Sequence, residues 1–218
     1  YSDLAIKINP ESAAAWNALG AVQMESGQLD IALASFDQAL SLAPEALIIV
    51  KNKAKILAAQ KKWEETLGLL IKAEKLQDFE VSCLLSRAYF LLGQIEKCID
   101  PFQQAMRFSD AASRKAYFLT TEGLEQLLAV GEALETYRSN FSDAADLYQL
   151  AIESVPDHPT LLNNLAVAHF NEAIYGQAIE YLRKLLLVDP SNVQTRTNLG
   201  VSLIMQDQSD EAIAEFQT

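Results

Sequence analysis

Between residues 16 and 44 the chain repeats one pattern of apolar positions twice. Trp16, Leu19 and Gly20 mark a first stripe; after Gly27-Gln28 the stripe resumes at Ala32, Phe36 and Ala39, and Pro44 closes it. Spacings of three and four put each stripe on one face of a helix. The Gly-Gln pair marks the turn, and the proline cannot continue the second helix. Ser12 precedes the first stripe and is read as its N-cap. This helix–turn–helix pattern returns about every 34 residues. It predicts full units at about 13–46, 47–78, 79–112, 113–158 and 159–192, with partial units at 1–12 and 193–218.

The units differ in how well they keep the pattern. The second carries Val50, Lys53, Ala54 and Leu57, then Trp63, Thr66, Leu70 and Ala73. The third carries Leu85, Ser86, Tyr89 and Gly93, then Cys98, Phe102 and Ala105; Pro101 inside its second helix is expected to bend or loosen it. After Asp110 the period slips. The next clear second helix is Phe141, Ala144, Tyr148 and Ala151 before Pro156, which leaves residues 113–124 surplus. The favoured reading is one extended first helix over 113–138, about 39 Å long. A break at Thr120-Thr121-Glu122-Gly123 is its competitor, because helix propensity is poor there. Such a lengthened helix would serve as a brace or as a surface for a partner. The fifth unit, with Leu162, Leu165, Ala166, Tyr175, Ala178, Leu182 and Leu185 before Pro190, is regular again. In the sixth, Leu199, Gly200, Ala212 and Phe216 hold the register to Thr218. At the other end, Leu4 and Ala5 before Pro10 read as the close of a second helix. The chain is therefore expected to be a fragment of a longer array.

Composition narrows the function. Half the residues are hydrophobic, with eight glycines and six prolines, which suits an all-α protein. The net charge of −12 is the wrong sign for nucleic acid or an anionic membrane surface. No apolar run reaches the roughly 18 to 20 residues of a spanning helix. Cys83 and Cys98 fall on the two helices of one unit and read as packing thiols. His158 and His169 have no nucleophile or carboxylate at a readable catalytic spacing, so no enzymatic centre, metal or cofactor is expected.

The period and the residues at Trp16, Leu19, Gly20, Ala32, Phe36, Ala39 and Pro44 resemble the tetratricopeptide repeat. That resemblance implies a right-handed superhelix over 1–218, an α-solenoid whose units bury their faces against their neighbours. It also implies a protein-interaction scaffold or adaptor that takes a partner peptide or helix in a groove lined by the first helices. Repeat register places Asn17, Lys51, Lys55, Arg87, Phe90 and Tyr137 in that groove, followed by Asn163, Phe170 and, from each unit, neighbours such as Ala129, Ala133, Val167 and Val201. Lys51, Lys55 and Arg87 would form a basic wall for an acidic peptide, or would be cations paired with Glu80. Asn52, Asn164 and Asn198 share one register, with Asn17 and Asn163 one residue earlier. They resemble the asparagine ladder with which the repeats of O-linked N-acetylglucosamine transferase hold extended backbone, since an amide both donates and accepts; Ala18, Leu84 and Val130 interrupt it. The carboxylate clamp of chaperone-binding repeats is broken at Ala21, Glu80 and Leu84. Two other roles fit the same array: the recruiting arm of a larger enzyme such as a glycosyltransferase, and an envelope or secretion assembly factor. A multiprotein complex is the expected setting, and the cytoplasm the favoured compartment.

Overall fold

The computed structural model describes residues 6–217. Leu4 and Ala5 lie outside the described residues. The described residues are helical, with no strand among them. Contacts group into two compact units, Tyr1–Ser109 and Asp110–Thr218, where the pattern reads as one array.

The first unit holds three helical hairpins: α1 (Ala13–Glu25) with α2 (Leu29–Leu42), α3 (Leu47–Ala59) with α4 (Trp63–Ala73), and α5 (Phe79–Leu91) with α6 (Ile99–Phe108). In the second, a short α7 (Ala111–Phe118) precedes α8 (Thr121–Arg138) with α9 (Phe141–Ile152), α10 (Pro159–Asn171) with α11 (Tyr175–Val188), and α12 (Val193–Met205) with α13 (Ser209–Gln217). Within each unit the first helix of a following hairpin packs on the second helix before it, as α3 does on α2 and α10 on α9. Ser12 caps α1 as expected, accepting from the Ala15 amide at 3.2 Å. Asp78, Asp110, Asn140 and Asn192 cap α5, α7, α9 and α12 in the same way.

The core runs from hairpin to hairpin inside each unit. Val50, Ala54, Leu70, Ala73, Val81 and Leu85 form one buried cluster across α3, α4 and α5. Ala166, Ile179, Leu182, Leu199, Leu203 and Ala212 form another across α10 to α13. Within a hairpin, a small residue on the first helix receives a large one from the second. A Cβ on Gly20 would lie 2.7 Å from the Phe36 ring, and one on Gly200 would lie 2.5 Å from Phe216. Both pairs are sixteen residues apart, as are buried Ala54 with Leu70 and Ala166 with Leu182. Where the receiving residue gains a methyl group, the partner loses its ring, so the filled volume stays matched. Phe216 nevertheless keeps half its surface exposed, unlike the fully buried Phe36.

Three expectations need correction. First, no single helix spans 113–138. The amide and hydroxyl of Thr120 both donate to the Tyr117 carbonyl, at 3.0 and 2.7 Å, and Thr120 Oγ1 accepts from the Gly123 amide at 3.0 Å. The threonine thus ends α7 and caps α8, a local alternative that outcompetes the helix ladder. A Cβ at residue 123 would stand 2.1 Å from the Tyr117 carbonyl oxygen, so glycine permits the corner. The Tyr117 hydroxyl, donating to Gln126 Oε1, ties α7 to α8.

Second, Pro101 does not bend a helix at its middle. Residues Ile95–Cys98 form a 3-10 turn and α6 starts at Ile99. Pro101 therefore sits in the first turn, where its missing N–H costs no helical bond. Third, the hairpin α8–α9 is out of step by one residue. Gly131, not residue 132, faces Tyr148: a Cβ there would be 2.3 Å from the ring. The spacing is seventeen instead of sixteen.

Candidate functional site

The residues expected to line the binding face divide between the two compact units. In the first, Lys51 lies 3.1 Å from Asp78 Oδ2 and 2.9 Å from Glu80 Oε2, and Lys55 lies 2.9 Å from Glu80 Oε1. Two cations meet two carboxylates, so Lys51 and Lys55 carry no surplus charge. Burial works against the Lys51 ammonium, but its hydrogen bonds to Glu80 and Asp78 outweigh that and raise its pKa. Burial likewise opposes the charge of Glu80, and the bonds from Lys55 and Lys51 overcome it and lower its pKa. Arg87 does not join them; its guanidinium lies over the Trp63 ring, 5.9 Å from the centroid. The basic wall read from the sequence is thus an internal ion-pair network. Asn52 Nδ2 donates to Asn17 Oδ1 at 3.1 Å, so these two amides bridge α1 and α3. Phe90 is half-buried on α5.

In the second unit the corresponding face is more open. A cavity of about 160 Å³ lies between α10 and α12. Val167, Phe170 and Leu182 form its apolar wall and floor, with Val201 opposite and Asn198 and Ser202 supplying polar atoms. Phe170 is held edge-on by Tyr175, with ring centroids 5.4 Å apart. Asn198 Oδ1 accepts from Gln194 at 2.9 Å, and the Ser202 hydroxyl donates to the Asn198 carbonyl at 2.8 Å. Asn163 Nδ2 faces Asn164 Oδ1 at 3.5 Å. Phe170 and Asn198 therefore meet in one pocket as the register predicts. Leu182 and Ser202 were missed: both are almost wholly buried, and the repeat pattern marks Leu182 as a packing residue.

The one-residue slip in α8 moves its face. Counting from Gly131 as from Gly20, the positions of Asn17, Ala21 and Met24 become Leu128, Glu132 and Glu135. Ala133, read as a groove residue, is buried, and Tyr137, 55% exposed, falls at the helix end where Ser26 stands in the first repeat. Tyr148 is fully buried, and its hydroxyl meets Glu135 from α8 and Asn164 from α10. Burial, with the neighbouring Glu135 charge, pushes the phenol pKa up. Burial also raises the Glu135 pKa; the Tyr148 hydroxyl opposes this and the charge of Glu132 adds to it.

His169 stacks on Tyr181, with centroids 5.7 Å apart and planes within 8°. Burial lowers its pKa, against the pull of Glu172 and Asp146. Among the described residues no group of three or more His, Cys, Asp and Glu is placed to hold a metal ion, and no helix is long and apolar enough to cross a membrane.

The tetratricopeptide repeat family matches residues 13–46 and again residues 159–192. With the helical hairpins described above, these matches place the chain among the tetratricopeptide repeat proteins. Among solved structures it is similar to YrrB, described as a tetratricopeptide repeat protein with an unusual peptide-binding site: 18% identity, TM-score 0.66, covering 89% of this chain and 95% of that one. It is also similar to MamA AMB-1, at 16% identity and TM-score 0.57 over 78% of this chain and 87% of that one. Both likenesses are of fold. Among curated proteins it is similar to the BBSome complex member BBS4 of Bos taurus, 23% identical over 193 residues, which are 88% of this chain and 35% of the relative. The chain thus spans about a third of that relative's length.

Proposed function

We propose that this chain is a protein-interaction scaffold that holds an extended peptide segment of a partner against the first helices of residues 110–218. The pocket between α10 and α12 is the anchor. The observation that carries this reading is the combination in that pocket of Val167, Phe170, Leu182 and Val201 with the amide of Asn198. An apolar side chain of the peptide fills the pocket, and the asparagine amides take the adjacent peptide bonds, which grips backbone with little demand on sequence. The likeness to a BBSome complex member, and to a repeat protein described by its peptide-binding site, supports a partner that is itself protein.

The test is binding of a capped, randomised heptapeptide library by the 218-residue chain, beside its Val201→Glu and Phe170→Ala variants. Val201 is 39% exposed, so a carboxylate there leaves the fold intact while charging the pocket rim. Retention of the library should fall about tenfold or more in Val201→Glu, equivalent to about 1.4 kcal/mol. Equal retention by both variants and the wild type, with unchanged circular dichroism, would remove this pocket as the site.

A further inference from the structure

The first helices of the two compact units differ in where their charges go. In residues 1–109 the groove lysines are matched by Glu80 and Asp78. In residues 110–218 the α8–α9 slip brings Glu132 and Glu135 to the positions of Ala21 and Met24. Glu132 is exposed and Glu135 half-buried, and among the described residues neither forms an ion pair with a lysine, arginine or histidine. Two carboxylates one helical turn apart repel each other. A half-buried carboxylate without a cation also bears a desolvation cost, which the Tyr148 hydroxyl offsets only in part.

A second observation lies in the core beneath the acidic pair. The Tyr148 hydroxyl is buried beneath it, and neither Tyr148 Oη nor Glu135 Oε1 closes a hydrogen bond of good geometry. A fully buried phenol oxygen aimed at a carboxylate, with the Asn164 amide on its other side, is a polar floor left open where a core would ordinarily be satisfied. Asn164 reaches this hydroxyl from α10, and Asn163 Nδ2 faces Asn164 Oδ1.

We infer that Glu132 and Glu135 form a subsite for one basic side chain, lysine or arginine, of the bound peptide, with Asn164 beside it. This rests on the peptide-binding reading above and names the partner's chemistry. A cation between the two carboxylates removes their repulsion and supplies the charge-assisted hydrogen bonds that the half-buried carboxylate lacks. Burial and the charge of Glu132 both disfavour the ionised Glu135 carboxylate, against the Tyr148 hydroxyl, and a bound cation would favour it. The peptide selected is therefore basic at this point, the reverse of the acidic peptide that Lys51, Lys55 and Arg87 suggest when read from the sequence.

The test uses two capped heptapeptide libraries, identical and uncharged except for a central lysine in one and norleucine in the other. Both are applied to the 218-residue chain at about 150 mM salt, where interactions between exposed charges beyond about 8 Å are largely screened. The wild type should retain the lysine library about tenfold better. That ratio should fall to near one in Glu132→Gln/Glu135→Gln, should persist in Glu125→Gln, an exposed change on the same helix, and Phe170→Ala should weaken both libraries alike. A ratio near one in the wild type, while Phe170→Ala still weakens both, overturns the basic subsite and leaves the groove standing. A ratio unchanged in the double variant, or reduced as much by Glu125→Gln, overturns it too. Retention of neither library overturns both readings. The wild-type comparison needs no variant to fold, and circular dichroism checks those that are used.

Discussion

Residues 1–109 and 110–218 are built from the same repeat, yet they use their polar first-helix positions in opposite ways. In the first, Lys51, Lys55, Asp78 and Glu80 neutralise one another, and Asn17 and Asn52 bond to each other. In the second, Glu132 is exposed and Glu135 half-buried, neither paired with a cation among the described residues, and a pocket opens beside Phe170 and Asn198. Repeat register names candidate binding positions equally in both. Whether such a position is available to a partner depends on what the next helix places against it. In the first face two carboxylates at the start of α5, Asp78 and Glu80, take both lysines.

The largest expected effect concerns Tyr148, around which the second unit departs from the first. Tyr148→Ala should destabilise by about 3–5 kcal/mol, as Phe36→Ala should in the first unit, because each removes a fully buried ring. Tyr148→Phe separates the two: it keeps the ring and deletes only the unsatisfied oxygen. It should be neutral or slightly stabilising, by up to about 1 kcal/mol. Urea melts followed by tryptophan fluorescence and circular dichroism would measure both. A loss above about 2 kcal/mol in Tyr148→Phe would mean that the hydroxyl is well bonded, since a satisfied bond contributes roughly 0.5–1.5 kcal/mol.

An intermediate effect tests the slip itself. Gly131→Ala should cost about 1–3 kcal/mol by driving a methyl group into the Tyr148 ring. Glu132→Ala, at the position the regular period would assign to that contact, should be near neutral, within about 0.5 kcal/mol. Reversed outcomes in thermal melts would restore the sixteen-residue spacing.

The smallest effect is a pair of opposite pH dependences. The folded pKa of Glu80 is lowered from 4.5, so its stabilisation is full above that value and is lost as pH falls through the lower folded pKa. The folded pKa of Glu135 is raised from 4.5, so its penalty is full above the folded pKa and fades as pH falls toward 4.5. At pH 7, Glu80→Gln should cost about 0.5–1 kcal/mol, whereas Glu135→Gln should gain about 0.5 kcal/mol. Both differences from wild type should shrink on acidification. Same-signed effects at pH 7 would erase the contrast between the two units.

Much of this protein is legible in its amino acids, and the legible part is local. Spacings of three and four, the turn at Gly27, the cap at Ser12 and the pairing of Gly20 with Phe36 all act within one hairpin, over sixteen residues or fewer, where chain geometry leaves little choice. The family follows from the same residues. What tertiary contacts decided lies between elements. The break at Thr120 is a local exception, open in the sequence as the competing reading and decided by its hydroxyl's bonds to a carbonyl three residues back and an amide three ahead. Gly131 faces Tyr148 across the two helices, where a Cβ would lie 2.3 Å from the ring, and the count of 34 does not carry that contact. For Lys51 and Lys55 the sequence left two readings, an open basic wall or pairing with Glu80, and the contacts with Glu80 from the following hairpin decide for the second. Periodicity sorts residues into faces, but it carries no information about which charges on those faces meet. That depends on side-chain distances of about 3 Å, where the Coulomb and hydrogen-bond energies that choose partners are strongest.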